Sequence, residues 1–185
     1  MNREEILAAA QRQLNHDPRS SLADIATAAG IGRATLHRHF ASRETLLEEI
    51  GTRSQDRWEQ RLDDVDVEVV AASGDAAAIE AALRDLLAAF VEDADDFGFS
   101  LTDSFIAGEP EHVERTERLF AREVALYAAA QEAGVLRGDV SARWLGHAAY
   151  GLLVAAREAI RAGDVPRRDV AELVITTYLR GGQSR

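Results

Sequence analysis

Arg33, Ala34, Thr35, His37 and Arg38 stand together in the stretch RATLHRHF, with Arg43 three residues beyond it and Ser21 upstream. The types suit recognition of a nucleic acid. A guanidinium such as that of Arg33 can bridge O6 and N7 of guanine. Thr35 can meet a thymine methyl group or a phosphate. His37 and Arg43 can reach phosphate oxygens and fix the register of a bound duplex, and Ser21 can do so at a helix N-terminus. The alternative chemistries lack their residues. The chain has no cysteine, no paired-histidine metal motif and no Gly-x-Ser-x-Gly turn, so no catalytic, metal or cofactor site is expected.

These side chains need a scaffold, and the surrounding pattern supplies one. Leu22, Ile25, Ala26 and Ala29 make an apolar stripe at helical spacing. Ser21 with Asp24 three residues on forms a capping-box pattern at its start. Gly30 can take the left-handed conformation that ends this helix, and Ile31 then plugs the turn from inside. Arg33 to His39 form the next helix, with Leu36 and Phe40 facing inward and the polar set facing out. His39 reads as a packing histidine. Two short helices across a glycine turn make a helix-turn-helix, whose second helix can enter a DNA major groove.

The first 50 or so residues resemble the DNA-binding domain of the TetR family of transcriptional regulators. The likeness begins at Ile6-Leu7-Ala8-Ala9-Ala10 and continues through Asp24-Ile25-Ala26 and Ala29-Gly30-Ile31. It then covers Thr35-Leu36-His37-Arg38-His39-Phe40 and Ser42-Arg43-Glu44-Thr45-Leu46-Leu47. Three positions depart from the family's usual choice. His37 stands for tyrosine, Gly32 for serine and Arg43 for lysine. Gly32 removes a side-chain cap from the recognition helix. The connection Asn15 to Arg19 is shorter than the common form and uses Pro18 to end its turn.

Composition sets the outer limits. The chain has 185 residues, 46% of them hydrophobic, enough for a real core. Prolines number three, and alanine-rich segments favour helix. There is no run of 18 apolar residues and no signal-like start, so a cytoplasmic protein with no membrane partner is expected. All 21 basic residues are arginine, and the net charge is −11. That charge is unevenly spread. Residues 1 to 50 hold six arginines against seven acids, whereas residues 51 to 185 hold 15 against 25. A near-neutral reading head on an acidic body binds DNA through a few placed contacts rather than a broad basic field.

The coarse reading is all-α, with about nine helices: 3–15, 21–29, 33–39, 42–62, 75–94, 97–107, 110–133, 141–162 and 167–180. The acidic stretch Asp63 to Asp75 reads as a connection in which Val65 to Ala72 could extend a helix. The expected domains are a three-helix head at 1–46 and an antiparallel helical bundle at 47–185. The resemblance implies that this body binds a small effector and dimerises. Pocket candidates are Phe97, Phe99, Asp103, Phe105, Tyr127, Trp144, His147 and Tyr150, apolar groups with a few polar ones among them. Dimer candidates are Leu145, Ala148, Leu152 and Ala156 on one helix, with Val170, Leu173, Val174 and Thr177 on the next. The family likeness implies a homodimeric repressor on a palindromic operator, released by an unidentified effector, with the fourth helix as the link. A ligand-independent regulator or activator of the same fold is the alternative.

Overall fold

The Asn2 side chain opens the first helix by accepting a hydrogen bond from the Glu5 N–H, and the Glu5 carboxylate accepts one in return from the Asn2 N–H. The computed structural model describes residues 2–103, 106, 108 and 110–182, the side chains of Asp95 and Gly182 excepted. Among these residues every regular element is a helix. In chain order they are α1 (Arg3–His16), α2 (Leu22–Ala28), α3 (Arg33–His39), α4 (Arg43–Asp64) and α5 (Val67–Ser73). There follow α6 (Ala76–Asp96), α7 (Gly98–Thr102), α8 (Pro110–Glu132), α9 (Ala142–Ala162) and α10 (Arg167–Gly182).

The expected run of helices is present, with α5 added inside the acidic connection. The break between α4 and α5 falls at Asp66, whose φ of 47° and ψ of 49° are left-handed. Aspartate tolerates that conformation better than most residues, so the helix re-starts rather than continuing. Helix α7 is shorter than the expected 97–107 segment. It ends at Thr102 because Asp103 turns extended, and the Asp103 carboxylate accepts from the Ile106 N–H at 3.1 Å. Ser104, Phe105, Ala107 and Glu109 lie outside the described residues. Helices α8 and α9 stop at Gly134 and Gly163, both at positive φ. The last expected stop is not used, since α10 runs on through Gly181 and Gly182.

The chain divides into two compact units. The first comprises Met1–Asp56 and Asp96–Glu114; the second comprises Arg57–Asp95 and Arg115–Arg185. The first unit is larger than the expected 1–46 head. Its core joins Ile6, Leu7, Ala10 and Leu14 of α1 to Ile25, Leu36, Phe40, Leu46, Leu47 and Ile50, and it also takes in Phe99 and Ile106. Polar bonds fasten the later segment. Asn15 donates to the Asp96 carbonyl at 2.7 Å and accepts from the Phe99 N–H at 2.8 Å, and Gln11 donates to the same carbonyl.

His112 is also buried in this unit. Gln55 donates to the His112 backbone carbonyl at 2.8 Å and presents its own oxygen to Nδ1 at 3.0 Å. That arrangement makes Nδ1 the protonated nitrogen. Nε2 then faces Gly51, where an added Cβ would lie 2.9 Å from it and 2.8 Å from Ile106.

In the second unit, ion pairs tie separate helices together. Asp93 of α6 accepts from Arg57 and Arg61 of α4, while Arg122 of α8 reaches Asp63 and Glu68. Helices α9 and α10 pack on each other, the Tyr178 hydroxyl donating to the Leu145 carbonyl at 3.3 Å, and Leu145, Val170, Val174 and Tyr178 are all buried.

Substitution Gly51→Ala should therefore destabilise the protein by about 1–3 kcal/mol, because the locked His112 ring cannot give way. A urea midpoint equal to that of the parent protein would contradict this reading.

Candidate functional site

The turn between α2 and α3 closes with two backbone bonds. The Gly30 N–H donates to Thr27 O and the Ile31 N–H to Ala26 O, both at 3.0 Å. This is the Schellman arrangement, and it needs the left-handed residue that Gly30 supplies at φ 66°. Ile31 then packs against the core. The turn sets the direction of α3, and two side chains fix its rotation. Leu36 and Phe40 are completely buried. Burying each contributes about 1.5–3 kcal/mol, which a helix of this length needs.

Arg3 secures the other end of α3. It pairs through two nitrogens with Glu49 of α4, donates to the His39 carbonyl, and lies 4.4 Å from the Phe40 ring centre. A cation is favoured where a helix leaves its last carbonyls open. Sequence reasoning missed this residue, although its place in the first turn of α1 gave no signal of a partner so far along the chain.

With α3 held this way, Arg33, Ala34, His37 and Arg38 are exposed and Thr35 is half-buried. Arg38 reaches the Thr35 hydroxyl at 3.4 Å. These five therefore share an accessible side of α3. The other two expected contacts have structural work as well. The Ser21 hydroxyl donates to Asp24 at 2.6 Å and accepts from the Asp24 N–H. That bond holds the Asp24 carboxyl below its ordinary range. Arg43 donates from Nε to the Ser20 carbonyl at 3.3 Å and from one terminal nitrogen to the Pro18 carbonyl at 2.9 Å. His39 is half-buried, its ring 6.4 Å from that of Phe40. Gly32 caps α3 with no side-chain bond, and open space surrounds the place where a Cβ would stand.

The residues expected to line a pocket do not share one lining. Phe99 belongs to the core of the first unit, and Asp103 caps the turn to Ile106. Phe97 is half-buried at the start of α7, and Phe105 lies outside the described residues. In the second unit Tyr127 is sealed in the core, whereas Trp144, His147 and Tyr150 are exposed along α9. The His147 ring lies 5.0 Å from that of Phe120.

The dimer candidates also divide. Leu145, Ala156, Val170 and Val174 are consumed in packing within the single chain. Ala148 and Leu152 are half-buried, and Leu173 and Thr177 are exposed. Trp144, Ala148, Gly151 and Leu152 fall on one side of α9 at helical spacing. They border a cavity of about 340 Å³ whose wall across α10 includes Thr177 and Tyr178. Trp144 is 62% exposed, a large apolar side chain left to solvent in one chain.

One polar cluster in the second unit was not anticipated. Glu123 of α8 is buried, with one carboxylate oxygen accepting from the Tyr127 hydroxyl at 2.5 Å and the other from Trp58 Nε1 at 3.1 Å. The Tyr178 ring lies 5.9 Å from that of Tyr127. Burial pushes the Glu123 carboxyl up to about 7, against the opposing pull of its two hydrogen-bond donors. The sequence did carry a signal. Leu119, Glu123, Leu126 and Ala130 follow one another at spacings of four, three and four, so the carboxylate occupies a core position of the stripe.

Among the described residues no helix is long and apolar enough to cross a membrane. Nor is any group of three or more His, Asp or Glu side chains placed to hold a metal.

Comparison with known proteins agrees with the helix-turn-helix geometry. Residues 6–50 match the model of bacterial regulatory proteins, tetR family. The HTH-type transcriptional repressor LfrR of Mycolicibacterium smegmatis is 28% identical over 183 residues, 97% of this chain and 89% of that protein. The crystal structure of LfrR from Mycobacterium smegmatis in complex with proflavine aligns with a TM-score of 0.76 at 25% identity, covering 99% of this chain and 97% of that one. AibR, solved with isovaleryl coenzyme A and operator DNA, shares the fold with a TM-score of 0.71 at 18% identity, over 95% and 96% of the two chains.

Two stability measurements test the local physics. Gly32→Ser places a hydroxyl at the uncapped start of α3 in compatible backbone, and should stabilise by about 0.5–1 kcal/mol; a lower urea midpoint would contradict it. The second measurement concerns the Glu123 carboxyl. Its folded value lies above the ordinary one, so between about pH 4.3 and 7 the native state holds a proton that the unfolded chain releases. Stability from this group is intact at the acid end and lost as pH rises, by on the order of 3 kcal/mol. Glu123→Gln should thus match the parent near pH 4.5 and melt higher at pH 8. A variant that melts lower at pH 8 would show the carboxylate to be stabilising.

Proposed function

We propose that this chain, whose residues 6–50 match the model of bacterial regulatory proteins, tetR family, is a homodimeric transcriptional repressor which reads a palindromic operator and is released by a small-molecule effector. It acts by binding, in the cytoplasm where its DNA lies, and not by catalysis. The reading head is residues 1–46, and residues 47–185 form the effector-binding and dimerisation region.

The observation that carries this reading is the exposed set on α3. Arg33, Ala34, Thr35, His37 and Arg38 share an accessible side of a helix whose opposite side is anchored by Leu36 and Phe40. Arg33 is the base-reading group, since its fork can take both acceptors of a guanine edge. Thr35 stands where it can touch a thymine methyl or a phosphate. His37 and Arg38 position the head on phosphates. Arg43 spends two donors on Pro18 and Ser20, and a guanidinium has five, so it retains capacity for a phosphate. Ser21 lies exposed at the N-terminus of α2, where a phosphate would be favoured.

Two recognition helices require a two-fold partner. The outer side of α9 and α10, with Trp144, Ala148, Leu152, Leu173 and Thr177, suits a second copy, because small residues let helices approach closely. The half-sites would then be about 34–36 Å apart, or shifted if the DNA deforms. Release follows if the effector binds more tightly to a conformation whose heads do not match that spacing. Proflavine and isovaleryl coenzyme A, named with LfrR and AibR, support an effector-responsive reading for the body. The repressor description of LfrR supports the sign.

The test is selection of the full-length protein's preferred site from a random DNA pool, followed by Arg33→Ala on that site. The variant should lose about 1–3 kcal/mol on the selected sequence and discriminate less at one base pair of each half-site. An enriched pool with no inverted repeat, or unchanged discrimination in the variant, would refute the reading.

A further inference from the structure

Three residues, Phe40, Ala41 and Ser42, connect the end of α3 to the start of α4. So short a joint can swing unless something ties its two sides together. Helix α3 supplies little of that hold from within. It has seven residues, and the carbonyls of its last turn have no partner inside the helix. That turn also carries His37, Arg38 and His39. On the far side of the joint, Ser42 starts α4 by accepting from the Thr45 N–H at 3.2 Å.

Arg3 makes the tie. The Asn2–Glu5 capping box fixes the first turn of α1, and Ile6 and Leu7 seat that helix in the core of the same unit. From this base the Arg3 side chain passes over the Phe40 ring, its guanidinium carbon 4.4 Å from the ring centre. Nε donates to both oxygens of Glu49 at 3.0 Å, and one terminal nitrogen meets the second of those oxygens. The other terminal nitrogen donates to the carbonyl of His39, the last residue of α3. Glu49 precedes Ile50, which is completely buried, so the α4 end of the tie is itself anchored. One planar group thus grips α4 by a carboxylate and α3 by its final carbonyl.

We propose that Arg3, anchored by Glu49, is a positioning residue for DNA reading. It sets the angle of α3 on the head, and so the fit of Arg33, Thr35 and His37 to a major groove, without touching the DNA itself. This rests on the DNA-reading function above and adds a determinant of its affinity. The geometry favours positioning over a direct phosphate contact. All three guanidinium nitrogens of Arg3 are committed within the protein, and the carboxylate beside them would repel a phosphate. An arginine that held a phosphate would be hindered by Glu49, whereas one that positions α3 depends on it. The two roles therefore give opposite signs to the loss of the Glu49 charge.

The experiment uses the full-length protein and the site recovered from the random DNA pool, with affinity measured by anisotropy over a range of salt. Glu49→Gln removes a negative charge from the head, which by electrostatics alone would tighten DNA binding. The expected result is the reverse, binding weaker by about five- to tenfold as the fraction of heads with α3 correctly set falls in proportion. Arg3→Lys keeps the charge but lacks the planar fork that spans both partners, and should lose about as much. The dependence of affinity on salt should stay at the parent slope in both variants, whereas a lost phosphate contact would reduce that slope by about one per head. Amide exchange in the free protein supplies a readout that needs no DNA. It should quicken in α3 of both variants, at Phe40 N–H above all, while α6 in the other unit is unaffected. Glu49→Gln binding as tightly as the parent or tighter, Arg3→Lys retaining parent affinity, or unchanged exchange in α3 overturns the proposal. A parent protein that selects no site would refute the DNA reading instead, and the exchange series separates that failure from a failure of the tie.

Discussion

The burial of Leu36 and Phe40 is the constraint on which the exposed face of α3, and with it the proposed DNA-reading surface, depends. Helix α3 has seven residues, too few to persist alone in water. Its existence and its rotation both come from these two side chains entering the core of the first unit. Because Leu36 is fixed inward, Arg33, His37 and Arg38 must point away. The Schellman turn at Gly30 sets where the helix begins, and Arg3 holds where it ends. The outward residues of α3 are thereby held on a rigid support.

The second unit poses the opposite problem. The acids that join its helices are nearly all matched by arginine. Glu123 is the exception, held by two neutral donors in a place where a neutral residue would be more stable. The carboxyl near neutrality makes this unit responsive to charge in a way that its exposed acids, screened by water and salt, are not.

Much of the head was legible in the sequence. The apolar stripe of α2, the glycine turn and the Ser21–Asp24 box are local signals, and local signals survive translation into structure. The double duty of Arg43 was not legible, since its partners are backbone carbonyls of a connection 23 and 25 residues earlier. The body was read less well for a physical reason. Apolar periodicity identifies a buried face but not which neighbour covers it. Leu145, Val170 and Val174 therefore read as available to a partner, yet all three are buried within the single chain. Tyr127, Trp144 and His147 looked alike as pocket residues, yet one is sealed in and two face outward. Glu123 was overlooked because a glutamate on a helix is ordinarily a solvated residue, and only its spacing from Leu119 and Leu126 set it apart.

The central claim is that this chain reads a DNA sequence as a two-fold pair. The direct measurement is fluorescence anisotropy of the purified protein on DNA from just upstream of its own gene, with salt titration and excess random-sequence competitor. The account predicts competitor-resistant binding that saturates at one dimer per inverted repeat and weakens steeply with salt, as few but essential phosphate contacts require. Binding displaced equally well by random DNA, on that fragment and on every sequence recovered from a random pool, would contradict it.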